Sequence, residues 1–358
     1  MTEVFAIAPI LDETKTDENI VKKFNEYLVE DESKAEARSF PFVDHKDPLK
    51  MILKYYQQPI KTLQEDGLFG FSIKPRYGYS KDKEILFLDI ASLVGPTTVP
   101  TIAKSPLISS SNIIGTVLKK IVRSETQKIV FMNTYSIATD LGLGMFEELG
   151  MTFYNAQGRS FEISGGKIGQ ISSFSYEGLD KKWLNYEYLI LSDKKELDLL
   201  VGEEGISYQN QALTGASDEI VKVLDRETEK CIQTVSRLLN KPDLLEPLAS
   251  VGNGLSFACL AFTRHVKVMN QLKAFVELTD FEANLKQVDY FIIPEKYTTF
   301  RQMLTERKIP TMVIKTQSNT TVAENEVLLP YFSFTSEDML EIFDYLKVII
   351  RLLYFRGR

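Results

Sequence analysis

Apolar positions along the chain change period repeatedly, and the changes outline alternating strands and helices. VFAIA at 4–8 is a continuous apolar run of strand length. After a polar loop, Ile20, Val21, Phe24 and Leu28 recur at three-to-four spacing, which predicts a helix with Asp17 as its N-cap. RSFPFV at 38–43 predicts a second strand and 48–57 a second amphipathic helix, so the chain opens β-α-β-α. Between Gly67 and Asp89 the rhythm becomes aromatic-rich alternation, in GLFGFSIKPRYGYS and KEILFLD around a charged turn, which predicts a hairpin.

The spacing then predicts a helix over 109–123, opened by a run of three serines, a strand KIVFM at 128–132 and a helix over 141–149. MTFYNAQGR at 151–159 predicts a strand and turn, and YEYLILSD at 186–193 another strand. A long helix follows over 218–240, with Ile220, Val223, Leu224, Cys231, Val235 and Leu238 on one side. Residues 251–267 (VGNGLSFACLAFTRHVK) mix small and apolar types as a tightly packed helix would. DYFIIPE, TMVIK and VLLPYFSF predict three more strands, TTFRQMLTERK a short helix and 336–353 a last helix. Alternation at both chain ends predicts parallel sheets covered on both faces, an α/β fold, and the antiparallel interruption suggests a second domain.

Composition narrows the function classes. A chain of 358 residues accommodates two domains or one large α/β unit. Its two cysteines, Cys231 and Cys259, fall in helical apolar spacing and read as small buried hydrophobes, which suits a reducing cytoplasm. The start, MTEVFAIAPILDETK, has too short an apolar run for a secretion signal, and no stretch approaches about 18 apolar residues, so no membrane span is expected. A net charge of -7 supplies no general field for nucleic acid, and the basic end RLLYFRGR reads as cations at a helix C-terminus. His45 and His265 lack metal-ligand spacing, so no protein-held metal site is expected. GxxxxGK[ST], GxGxxG and GxSxG are all absent, which removes the usual P-loop, dinucleotide and hydrolase readings.

The stretch FMNTYSIATDLGLGMFEELG at 131–150 carries the candidate chemistry: an apolar strand, a turn, then Gly142, Gly144 and Gly150, with Asp140 at the helix mouth. Together with FAIAP, RYGYSKDKEILFLDIAS, PLISSS at 106–111, EELGMTFYNAQGR, SGGKIG at 164–169, LILSD and VGNGL, it resembles the type I glycerate kinase family in colinear order over nearly the whole chain. That family turn reads GGSATNDGGAGM. The resemblance implies two α/β domains of glycerate kinase I type, the first Rossmann- or flavodoxin-like and built from both chain ends. The expected division is 1–70 with 285–358 as the discontinuous Rossmann-like domain, and 71–284 as the inserted second domain.

The departures from the family fall on its chemistry. Where the family has APDSFKG and ADGGEGT, this chain has APILDET at 8–14 and VDHKDPL at 43–49, which keeps Asp44 and no glycine. Thr134, Tyr135 and Leu141 stand at glycines of the family turn. A glycine-threonine-lysine loop is missing after IIPEK at 292–296, where Glu295 aligns with its acidic residue. Glycine lets a backbone approach a phosphate closely, so each replacement bears on binding.

The resemblance implies that Asp140 is a general base or metal-linked acid for phosphoryl transfer, and read from the residues alone it is an N-cap. Asp193 ends a strand, where α/β proteins place ligand groups, or is a solvated turn aspartate. Ser136 donates to a carboxylate or phosphate, or stabilises its own turn. Gly142, Gly144, Asp44 and Glu295 complete the candidate substrate- or nucleotide-binding set, with Lys15, Lys46, Lys296 and Arg301 as candidate replacement cations. Two functions stay open. One is a degenerate glycerate kinase-like protein of the cytoplasm, without cofactor, whose binding, regulatory or scaffold role engages a protein or small molecule, and neither nucleic acid nor membrane. The other is an active kinase, with ATP and Mg, acting on D-glycerate or a related small hydroxy acid.

Overall fold

The computed structural model describes residues 3–7, 21–22, 25–26, 29, 35–39, 47–192, 197–294, 297–314 and 326–329. They divide into two compact units, one drawn from 1–46 with 275–358 and the other from 47–274.

The first unit contains a five-stranded sheet in the order Glu326–Leu329, Thr311–Ile314, Tyr290–Pro294, Glu3–Ile7, Ala35–Ser39. Every neighbouring pair is parallel, and Phe5 stands opposite both Tyr290 and Ala37. Numbered along the chain this is the 2-1-3-4-5 order of flavodoxin-like folds, so strands from both chain ends share one sheet. Strand Ala35–Ser39 lies three residues before the apolar run RSFPFV, because its pairing with Glu3–Ile7 is carried by a small alternating sequence, AEARS, that has no apolar run of its own.

The second unit contains six strands in the order His265–Asn270, Glu187–Ser192, Lys128–Met132, Ile85–Asp89, Arg76–Tyr79, Lys61–Thr62. The first four are mutually parallel, and the last two add antiparallel. Arg76–Tyr79 and Ile85–Asp89 are the hairpin that the aromatic alternation predicts. Lys61–Thr62 belongs to this sheet, and helix Pro48–Tyr55 packs against it: a Cβ added to Gly78 would lie 2.4 Å from Leu53 Cδ1. The unit begins at Asp47, whereas the expected division began it at 71.

The longest helix among the described residues, Asp218–Leu239, begins where Ser217 accepts from the Ile220 N–H, carries Asp218 and Glu219 in its first turn, and ends on Asn240 at φ 52°. Each feature satisfies or complements an otherwise open helix end. The stretch 251–267 is not one helix. Leu255–Phe262 is helical, Thr263 is extended, and His265–Asn270 forms an edge strand paired with Glu187–Ser192. The alternation HVKVMN decides this, since an edge strand needs no continuous apolar run. Among the described residues no helix is long and apolar enough to cross a membrane.

Candidate functional site

Strand Lys128–Met132 lies between Ile85–Asp89 and Glu187–Ser192, so the residues after it emerge at the carboxyl ends of parallel strands. Ligand sites of α/β proteins form at such ends. Asn133 turns the chain at φ 49°, and its Nδ2 donates to Asp89 Oδ1 at 3.0 Å. Asp89 Oδ2 accepts from Arg76 at 2.9 Å, and Arg76 also donates to Asp47 Oδ2 at 2.5 Å. Burial pushes the Asp89 carboxyl up from its ordinary range, against the pull of Arg76. Thr134 Oγ1 then donates to the Leu191 carbonyl at 2.8 Å, tying the turn to the next strand.

A pocket of about 40 Å³ opens beside this turn. Thr134, Tyr135 and Ser136 form one wall, Ser250, Val251, Gly252 and Asn253 another, and Ser192, Leu197, Asp198, Asn210 and Leu213 complete it. The walls are bonded to each other. Ser136 Oγ accepts from the Ala138 N–H at 3.1 Å, the Ala138 carbonyl accepts from Asn253 Nδ2 at 2.7 Å, and Asn253 Oδ1 accepts from Asn210 Nδ2 at 3.2 Å. Gly252, Asn253 and Gly254 run consecutively through left-handed backbone, at φ 70°, 56° and 88°. A Cβ on Gly252 would reach 3.4 Å from the Thr134 carbonyl oxygen, so the two walls nearly touch there. Tyr135 lines the pocket and is 46% exposed.

Asp140 has a different environment. It is 0% exposed, and its Oδ2 accepts from the Ser111 N–H at 2.7 Å, Ser111 Oγ at 2.9 Å, the Gly144 N–H at 3.0 Å and Ser110 Oγ at 3.1 Å. Its Oδ1 accepts from the Gly142 N–H at 3.3 Å. The carboxyl thus joins the starts of helices Leu143–Glu148 and Asn112–Ile121. Burial pushes its pKa upward, opposed by these donors.

The glycines of the turn face protein atoms. A Cβ on Gly144 would lie 2.0 Å from Ser110 Oγ, and one on Gly142 would lie 3.0 Å from Leu255 Cα. Leu141, at φ 57° and 1% exposed, fills the face of Gly254 in return.

Of the residues singled out from sequence, Ser136 lines the pocket, whereas Asp140, Gly142 and Gly144 are not among its lining. Asp44, Asp193 and Glu295 lie outside the described residues, as do Lys15, Lys46 and Lys296. Arg301 sits on helix Thr298–Glu306 of the other unit. Sequence reasoning missed Ser192, Asn210, Gly252 and Asn253, and noted Thr134 only as a replaced glycine. The tripeptide GNG was the available signal, since glycine and asparagine are the residues that tolerate left-handed backbone.

Comparisons with known proteins bear on what this architecture is. A family model described as the glycerate kinase family matches residues 13–323. The chain is 25% identical over 224 residues to a glycerate kinase of Bacillus cereus, covering 63% of this chain and 58% of that protein. It is 23% identical over 262 residues to a glycerate kinase of Halalkalibacterium halodurans, covering 73% and 68%, respectively. With a glycerate 2-kinase of Escherichia coli it shares 24% identity over 221 residues, 62% of this chain and 56% of the other. The matched stretches therefore span between about half and two thirds of these relatives. Among solved structures, a chain described as glycerate kinase 2 from Salmonella typhimurium LT2 superposes with a TM-score of 0.78 at 19% identity, over 100% of both chains. The chain belongs to the glycerate kinase family.

Proposed function

We propose that this protein keeps the family fold and a small polar ligand pocket but does not transfer phosphoryl groups, acting in the cytoplasm in a binding or regulatory role. One observation carries the reading: Asp140, the carboxylate that the family resemblance offers as a base, has no exposed surface and is engaged by five donors. A general base must come within hydrogen-bond reach of the proton it removes. The filled faces of Gly142 and Gly144 and the placement of Tyr135 in the pocket wall support the same reading, because Mg-ATP finds no phosphate cradle in the 140–144 turn.

The names of the curated relatives favour a second reading, an active ATP-dependent kinase for D-glycerate or a related hydroxy acid. Calorimetric titration with Mg-ATP and a turnover assay separate the two. No saturable heat with Mg-ATP is expected and would sink the kinase reading, whereas turnover of D-glycerate that Asp140→Asn abolishes would overturn the preferred one.

A further inference from the structure

The left-handed turn at 252–254 leaves two adjacent backbone donors without acceptors. The N–H groups of Gly254, Leu255 and Ser256 fold back onto the carbonyls of Ser250, Gly252 and Val251, but those of Gly252 and Asn253 make no hydrogen bond among the described residues. Asn253 is 8% exposed. Gly252 is partly exposed. More than about nine in ten buried backbone N–H groups are paired, so an unpaired one on buried Asn253, with that of Gly252 next to it at the cavity, marks a place for an acceptor.

The facing wall supplies a third donor. Ser136 is 4% exposed, and its Oγ accepts from Ala138, which leaves its own proton available. The bond from Asn253 to the Ala138 carbonyl holds the two walls in register, so the donors are positioned before any ligand arrives. Helix Leu255–Phe262 starts directly after the turn and adds the positive end of its dipole. Asp198, also in the lining and partly exposed, acts in the opposite sense on a negative ligand.

We propose that this pocket holds a single oxyanion, either the carboxylate of a small acid or a phosphoryl group, between the N–H groups of Gly252 and Asn253 and the hydroxyl of Ser136. This rests on the reading that the pocket is the ligand site. It assigns the recognising donors to the 252–253 turn and away from the glycines at 142 and 144.

Amide-resolved NMR titrations of the full chain with sodium acetate and with inorganic phosphate test this, with choline chloride as the ionic-strength control. The Gly252 and Asn253 amide protons should move downfield and saturate with at least one of the two anions, and the anion that does so identifies the source. Ser136→Ala should weaken that binding about tenfold. Asp198→Asn should tighten it about threefold at low salt by removing a like charge. Still amides in both titrations, or shifts reproduced by choline chloride, would overturn the proposal. Should Ser136→Ala fail to fold, the wild-type shifts and Asp198→Asn decide. Failure here leaves the absence of phosphoryl transfer standing, and observed turnover would leave the oxyanion site standing.

Discussion

A carboxylate with no exposed atom stays in a protein interior only where donors replace its water, and Asp140 has five of them. Asp140→Asn puts an NH₂ group where N–H and O–H groups already point. It should lower the unfolding free energy by about 2–3 kcal/mol, read as a reduced urea midpoint; an unchanged midpoint would contradict the bridging role. Leu141 poses the reverse problem, a bulky side chain at φ 57°. Left-handed backbone costs a non-glycine residue about 1–2 kcal/mol, while glycine in a helix interior costs about 1. Leu141→Gly should therefore destabilise the fold by about 2 kcal/mol less than Leu118→Gly, which empties an equally buried position inside helix Asn112–Ile121. Equal losses would show that the leucine is unstrained. At this scale the sequence was partly legible. Asp140 could be seen as a helix-start residue, but its partners Ser110 and Ser111 lie about thirty positions away, beyond any local pattern.

Between elements, Glu147 is the link most open to solution conditions. Both its carboxylate oxygens accept from the Ile163 N–H at 3.1 Å, tethering helix Leu143–Glu148 to the segment before Gly165. Burial, with Asp140, Glu162 and Glu148 nearby, pushes its pKa from 4.5 up to about 6, opposed by the Ile163 N–H. A carboxyl raised on folding favours the native state when protonated. Its contribution is therefore complete below about pH 4.5 and is lost as pH rises through about 6. The wild-type melting temperature, compared with that of Glu147→Gln, should fall across this window, and a constant difference would contradict it. Element identity was legible where burial was deep: IVFM in strand Lys128–Met132 and LIL in strand Glu187–Ser192 are continuous apolar runs because these central strands are buried on both faces. HVK, the first half of strand His265–Asn270, reads as helix because an edge strand alternates, and the short spacer after Phe262 conceals the change of period.

For the whole molecule, the α/β class and the added hairpin were readable from alternation, and the colinear family motifs implied a Rossmann- or flavodoxin-like part built from both chain ends, but the strand order was not readable. The pocket was not, because Thr134, Ser192, Asn210 and Asn253 come from four separate segments that only the sheet's carboxyl edge brings together. The family turn survives as backbone, down to a leucine held in a glycine conformation, while its carboxylate and glycine faces serve packing. The central claim is that fold and pocket persist without phosphoryl transfer. Its most direct test is formation of ADP and phosphoglycerate by the purified chain supplied with Mg-ATP and D-glycerate. The account predicts no product above an enzyme-free control, and steady product formation that Asp140→Asn abolishes in a folded protein would contradict it.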